Sequence, residues 1–179
     1  MGWLPTYYNQ QFGVNVRDSA WLSVLPFICM ATTTNASGWI ADGLVNSGVT
    51  STTTARKILQ GFGTAVPALC LWFLSVHRSQ KMLAVGTALT MLSLMLGGLG
   101  LQAAGYASNH GDIATRYAGL LYGITNAGSS FAGSVAVYAV GVVLDWTRDW
   151  GVVFGSVAWC NVLSFIVYLS FATSAPLFE

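Results

Sequence analysis

Five long stretches of this chain contain no Asp, Glu, Lys or Arg: Ser19–Ala41, Ile58–Val76, Met82–Gly111, Tyr117–Leu144 and Trp150–Phe178. Each is close to or longer than the ~20 residues with which an α-helix crosses a hydrocarbon core of roughly 30 Å. The charges gather between the stretches, in Arg17/Asp18, Asp42, Arg56/Lys57, Arg78/Lys81, Asp112/Arg116 and Asp145/Arg148/Asp149, with Glu179 at the end. Soluble domains put about a quarter of their residues into charge, whereas here only 7% of 179 residues are charged. A chain so poor in charge cannot keep its outside wet, and lipid is its solvent.

The apolar runs are continuous. Barrel strands would alternate every second residue between lipid and a polar lumen. The pattern therefore predicts an all-α, polytopic membrane helix bundle with five complete spanning helices, near residues 19–42, 58–76, 82–106, 117–144 and 150–173. Residues 1–12 are apolar and aromatic but too short to span, and are read as the end of a sixth helix whose beginning is missing. Met1-Gly2-Trp3-Leu4-Pro5 has no basic lead and no small-residue cleavage site, so no signal peptide is expected. Gly119/Gly123 and Gly151/Gly155 are spaced four apart, which places bare backbone on one helix face where a neighbour can approach closely.

Several functions are excluded at this level. Seven Lys+Arg against six Asp+Glu give a formal net charge of +1, too little to hold a polyphosphate backbone, so nucleic acid is no partner. Cys29, Cys70 and Cys160 are odd in number, fall in three different spans and lack ligand spacing. They read as packing residues, and no metal or cofactor is expected. Two histidines, His77 and His110, and no nucleophile or zinc motif give no picture of an enzyme. His110 and Asp112 are close in sequence, but two ligands do not make a metal site.

The spans do contain uncharged polarity at helical spacing. Tyr122, Thr125, Asn126, Ser129, Ser130 and Gly133 recur on one helical face. In the first complete span Ser23, Thr33, Thr34, Asn35 and Ser37 repeat the theme. Residue by residue, hydroxyls that bond back to their own helix or glue neighbours account for this. Two such stripes together point to a hydrated path. Tyr7 and Tyr8 close the truncated helix, as an interfacial aromatic belt or as the mouth of a cavity. Candidate substrate-path residues are Tyr8, Thr33, Asn35, Tyr122, Asn126 and Ser129. Gln102 and Asn161 are single polar groups expected to bond between helices.

Three segments are more specific than composition: Gly38-Trp39-Ile40-Ala41-Asp42 with Ser51-Thr52-Thr53-Thr54-Ala55-Arg56-Lys57-Ile58 following; Asn109-His110-Gly111-Asp112-Ile113-Ala114-Thr115-Arg116-Tyr117-Ala118-Gly119; and Gly123-Ile124-Thr125-Asn126 with Gly128 and Gly133 downstream. In these the chain resembles the anion:cation symporter branch of the major facilitator superfamily, which holds sodium/phosphate cotransporters, vesicular glutamate transporters, sialin and plant anion transporters. Thr115 stands where that family carries Pro.

The resemblance implies that residues 1–179 are the second six-helix half of a twelve-helix transporter. It implies a secondary carrier of an organic or inorganic anion such as phosphate or glutamate, coupled to Na⁺ or H⁺ and working by alternating access. Its partners would be the anion, the bilayer and the missing first half of the same protein, in a plasma, plastid or endolysosomal membrane. Gly43–Ala55 and Asn109–Arg116 would be cytoplasmic. Gly38, Asp42, Arg56, Lys57, Asn109, His110, Asp112 and Arg116 fall on its motifs. Gly38 would permit close helix contact, and Asp42 would pair with Arg56 or Lys57 to latch one conformation. A membrane scaffold whose polar faces only glue helices, and more remotely an intramembrane enzyme, are the rival readings.

Overall fold

The computed structural model describes residues 2–77 and 84–175, so Arg78, Lys81, Glu179 and the expected start of the span at 82 lie outside the described residues. Helices account for nearly all of the rest: α1 (Leu4–Phe12), α2 (Val16–Asn46), α3 (Thr52–Val76), α4 (Val85–Gln102), a π-helical segment (Ala103–Ala107), α5 (Ser108–Ile113), a 3₁₀ turn (Thr115–Tyr117), α6 (Ala118–Thr147) and α7 (Trp150–Phe171). The breaks follow local chemistry. Gly13 at φ 67° closes α1 in the left-handed region that suits glycine. Asn15, Ser51 and Asp149 then cap α2, α3 and α7 by accepting from the backbone N–H of Asp18, Thr54 and Gly151.

Four helical runs are both long and apolar enough to cross a membrane: Thr52–Val76, Val85–Ile113, Thr115–Thr147 and Trp150–Phe171. The fifth expected span, at α2, is not among these four. With 31 residues it has the length, but Thr32-Thr33-Thr34-Asn35 and its serines dilute its apolarity. The reason is its packing. Its buried face is small and hydroxylic, carrying Ser19, Ser23, Pro26, Ser37 and Ala41, while Trp21, Phe27, Ile28 and Trp39 point outward. Small residues on the inside let α2 lie close to α4.

Glycines bring α4 into close contact with two neighbours. A methyl group on Gly98 would sit 2.7 Å from Pro67 Cδ of α3, and one on Gly100 would meet Thr33 and lie 2.7 Å from the Met30 carbonyl oxygen of α2. A methyl on Gly63 would fall 2.9 Å from the Gln102 backbone nitrogen. Helices α2, α3 and α4 thus pack backbone to backbone, as small residues allow in lipid. Of the two glycine pairs, Gly151/Gly155 is used: Ser75 of α3 donates to the Gly151 carbonyl at 2.7 Å, and a Gly155 methyl would lie 2.9 Å from its Oγ. Gly119 and Gly123 face open space.

The main apolar core joins α1, α3, α4 and α7 through Tyr7, Tyr8, Leu71, Leu74, Leu92, Leu96, Trp150 and Phe154. Tyr7 meets Trp150 and Phe154 edge-on at 5.2 and 4.9 Å between ring centres. Helix α6 stands apart, with Leu144 as its one buried residue.

Candidate functional site

At one end of the bundle, α3, the foot of α4, α5 and the end of α7 are tied together by polar side chains. Arg56, in the first turns of α3, donates from Nε to Asp112 Oδ2 at 2.9 Å and from Nη2 to Oδ1 at 3.3 Å, while Nη1 reaches the Ala104 carbonyl at 2.9 Å. Both side chains are largely buried, 14% and 21% exposed, so the pair is less screened than a surface bridge. A planar fork that serves a carboxylate and a carbonyl together is a task for arginine. Lys57 donates to the Leu169 carbonyl at 2.9 Å, a cation placed on the C-terminal end of α7 where the helix dipole favours it. Asn109 Oδ1 accepts from Ser174 Oγ at 2.9 Å, and the Ser174 backbone N–H donates to Thr53 Oγ1 at 3.1 Å.

Arg56, Lys57, Asn109 and Asp112 therefore meet in one clasp. In this structure the partner of Arg56 is Asp112 and not the expected Asp42, which is exposed and has no ion pair among the described residues. Gly38 likewise has no atom within 4 Å of where a side chain would begin, so it makes no close helix contact here. Arg116 lies over the Tyr117 ring at 5.7 Å. His110 turns from α5 toward α6, with Nε2 3.0 Å from Thr125 Oγ1 and its ring edge-on to Tyr122.

The six path candidates are not brought to one place. Tyr8 is fully buried in the core, its hydroxyl without a partner among the described residues. Thr33 sits in the seam, donating to the Gly97 carbonyl of α4 at 2.7 Å. Asn35 bonds back to the Ala31 carbonyl on the exposed side of α2. Tyr122, Asn126 and Ser129 share one open face of α6, and Ser129 bonds back to the Asn126 carbonyl. Further along that face, Gly133, Val137 and Val140 border an apolar cleft of about 300 Å³ that separates α6 from Leu71, Leu92 and Phe154.

Gln102 does bond between helices, to the Gly63 carbonyl at 2.7 Å. Asn161 instead bonds back to Val157 in its own helix, contrary to expectation, and lines the cleft. The clasp partners Thr53, Ala104, Leu169 and Ser174 carry no signal in sequence, because two of them act through backbone carbonyls and two are ordinary hydroxyl residues in helix-end segments. Gln60 is different. Buried at 5% exposure with Oε1 unpartnered among the described residues, it is a lone amide in an apolar run, a signal that was readable.

These features describe an integral, multi-pass, all-helical membrane protein with a polar clasp at one end and one polar-faced helix held loosely. No family model matches the sequence. Over essentially its whole length the chain is similar to plant anion transporters. It is 38% identical over 177 residues to the probable anion transporter 4, chloroplastic, of Oryza sativa subsp. japonica, a match covering 99% of this chain and 29% of that protein. It is 36% identical to the ascorbate transporter, chloroplastic, of Arabidopsis thaliana, covering 99% and 31%. It is 35% identical to the sodium-dependent phosphate transport protein 1, chloroplastic, of the same plant, covering 99% and 33%. The chain spans about a third of the length of these curated relatives.

Proposed function

We propose that the chain forms one six-helix half of a secondary transporter for a small anion, organic or inorganic, driven by a Na⁺ or H⁺ gradient and working by alternating access. The observation that carries this reading is the open polar face of α6, bearing Tyr122, Asn126 and Ser129. In hydrocarbon a face of amides and hydroxyls must turn toward protein or water, and here it hangs beside a block of close-packed helices. Relatives named as anion transporters over the same stretch support the substrate class, and their chloroplastic names favour a plastid membrane.

The chain's own contribution to the anion site is neutral. Asn126 and Tyr122 offer N–H and O–H donors, and no charged side chain lies in the interior of the four candidate spans. The charge that attracts the anion belongs to the other half of a chain of the relatives' length. The clasp of Arg56, Lys57, Asn109 and Asp112 holds the ends of α3, α4 and α7 as one body while that half rocks against it.

The test is gradient-driven uptake of phosphate, glutamate and ascorbate by the relative-length protein in liposomes. Uptake of one of them is expected, and Asn126→Leu is expected to lower it about tenfold, the cost of one lost hydrogen bond to a charged group, with normal membrane insertion. Unchanged kinetics in Asn126→Leu would remove that amide from the site. A correctly folded protein that moves no anion would overturn the transport reading in favour of a scaffold.

A further inference from the structure

The outer side of the α3–α7 pair carries a furrow that belongs neither to the main core nor to the polar face of α6. Its first part is a hollow of about 420 Å³, headed by Thr54 and Lys57 of α3 and walled by Phe62 of α3 and Leu169 of α7. Gly61 forms the floor: a methyl there would lie 3.2 Å from Phe165 Cζ, so that ring rests against bare backbone. A second hollow of about 320 Å³ continues between Ala68 and Trp72 of α3 and Trp159 and Val162 of α7. Steps of three and four along both helices keep the two hollows on one face. Trp72 and Trp159 close the far end, edge-on with 6.3 Å between ring centres.

The dimensions and chemistry of the furrow name its occupant. Phe62, Leu69 and Trp159 on its edges are exposed, so it opens outward, where the solvent of this chain is lipid. From Thr54 to Ala65 the helix rises about 17 Å, close to one leaflet of a core of roughly 30 Å. Lys57 stands where the charge-free run of α3 begins, at headgroup level. Its ammonium has three donors; one goes to the Leu169 carbonyl, and the others have no partner among the described residues. Arg56 beside it is committed to Asp112 and Ala104, and no acid is among the described residues that line either hollow. A water-soluble anion would gain nothing from the furrow, and a lipid without net charge would gain less from Lys57.

We propose that the furrow is a site for one anionic phospholipid of the surrounding bilayer, its phosphate on Lys57 and one acyl chain lying along Gly61 and Ala65 against Phe165. Any lipid covers an exposed apolar helix face. Here two walls hold a single chain and one ammonium holds its headgroup, so an anionic lipid is retained in preference to its neighbours. Seated there, the lipid touches α3 and α7 together and braces the pair that Lys57 and Ser75 already tie through the Leu169 and Gly151 carbonyls. The site rests on the membrane character of the chain and not on transport of an anion.

The test is native mass spectrometry of the full chain, released from micelles that hold equal amounts of phosphatidylglycerol and phosphatidylcholine with the same acyl chains. One retained phosphatidylglycerol per chain is expected. Lys57→Gln is expected to lower the ratio of retained phosphatidylglycerol to phosphatidylcholine about fivefold, the worth of one basic side chain near a lipid surface, and Lys57→Arg to keep it. Arg148→Gln removes the same charge at the end of α6 and is expected to leave the ratio unchanged. Ala65→Phe fills the furrow without touching the charge, and is expected to lower retention of both lipids by about threefold or more. It also decides the matter if the Lys57 variants fail to fold, which circular dichroism reads. Equal losses in Lys57→Gln and Arg148→Gln, or unchanged retention in Ala65→Phe, would overturn the site. So would a dimer that retains no lipid, since a second copy of the chain would then cover the furrow. Each outcome stands whether or not the uptake assay detects transport.

Discussion

Replacing Gly100 by alanine puts the seam between α2 and α4 to a quantitative test. The added methyl would overlap the Thr33 hydroxyl and lie 2.7 Å from the Met30 carbonyl oxygen and 2.8 Å from the Thr34 backbone nitrogen. Thr33 could rotate away, but the other two atoms are backbone in the middle of a 31-residue helix and cannot. The helices must move apart by roughly half an ångström or more, a local overpacking that costs about 1–3 kcal/mol. The separation also stretches the 2.7 Å bond from Thr33 Oγ1 to the Gly97 carbonyl, worth about 1 kcal/mol. Against this stands the better helix propensity of alanine, up to about 1 kcal/mol. The net expectation is a loss of about 1–3 kcal/mol. Gly123→Ala is the control, because nothing lies within 4 Å of its added methyl. The same propensity gain then acts unopposed, leaving stability equal or raised by up to about 1 kcal/mol. Equilibrium unfolding in mixed micelles, followed by tryptophan fluorescence and checked by a second probe for coincident transitions, measures both. Gly100→Ala at least as stable as Gly123→Ala would refute the close seam.

Two further predictions concern polar groups. Arg56→Ala is expected to cost about 1–3 kcal/mol, because it strands Asp112 and the Ala104 carbonyl together; a double-mutant cycle with Asp112→Ala should give a coupling of about 1 kcal/mol or more, and zero coupling would show that the pair does not hold the clasp. Tyr8→Phe removes a buried hydroxyl that has no partner among the described residues, so stability is expected to stay level or rise by up to about 1 kcal/mol; a loss above about 1 kcal/mol in the same unfolding assay would show the hydroxyl to be satisfied.

Much of the architecture was readable because lipid simplifies the code. A run without charge marks a helix wherever its neighbours lie. Partnership was far less readable. Nothing in the order of Gly97, Gly98 and Gly100 says that Gly98 faces α3 while Gly97 and Gly100 face α2. Asp42 and Asp112 are alike as isolated acids beside apolar runs, and only folding decides which one meets Arg56. Hydroxyls were the hardest. Thr33 and Ser129 look the same in sequence, but one crosses a seam at 2.7 Å and the other bonds back to its own helix. A periodicity fixes the face a residue shares with its neighbours, and not what that face meets.

The unequal packing also says which part of the bundle is free to move. In α2, α3 and α4 the backbones already touch through glycine, so sliding one past another means lifting a side chain over a backbone, and the low compressibility of such contacts resists it. Helix α6 has no comparable restraint. Its later half is held by Trp3, which donates to the Val137 carbonyl at 3.2 Å and packs against Gly141, and its earlier half by His110 through Thr125. Between these two points its inner face borders the apolar cleft. The later half of this 30-residue helix is the more firmly held, because Leu144 is buried in the main core while the earlier half is exposed on nearly every side. The least restrained part of the bundle is therefore the earlier half of α6, where Tyr122, Asn126 and Ser129 lie.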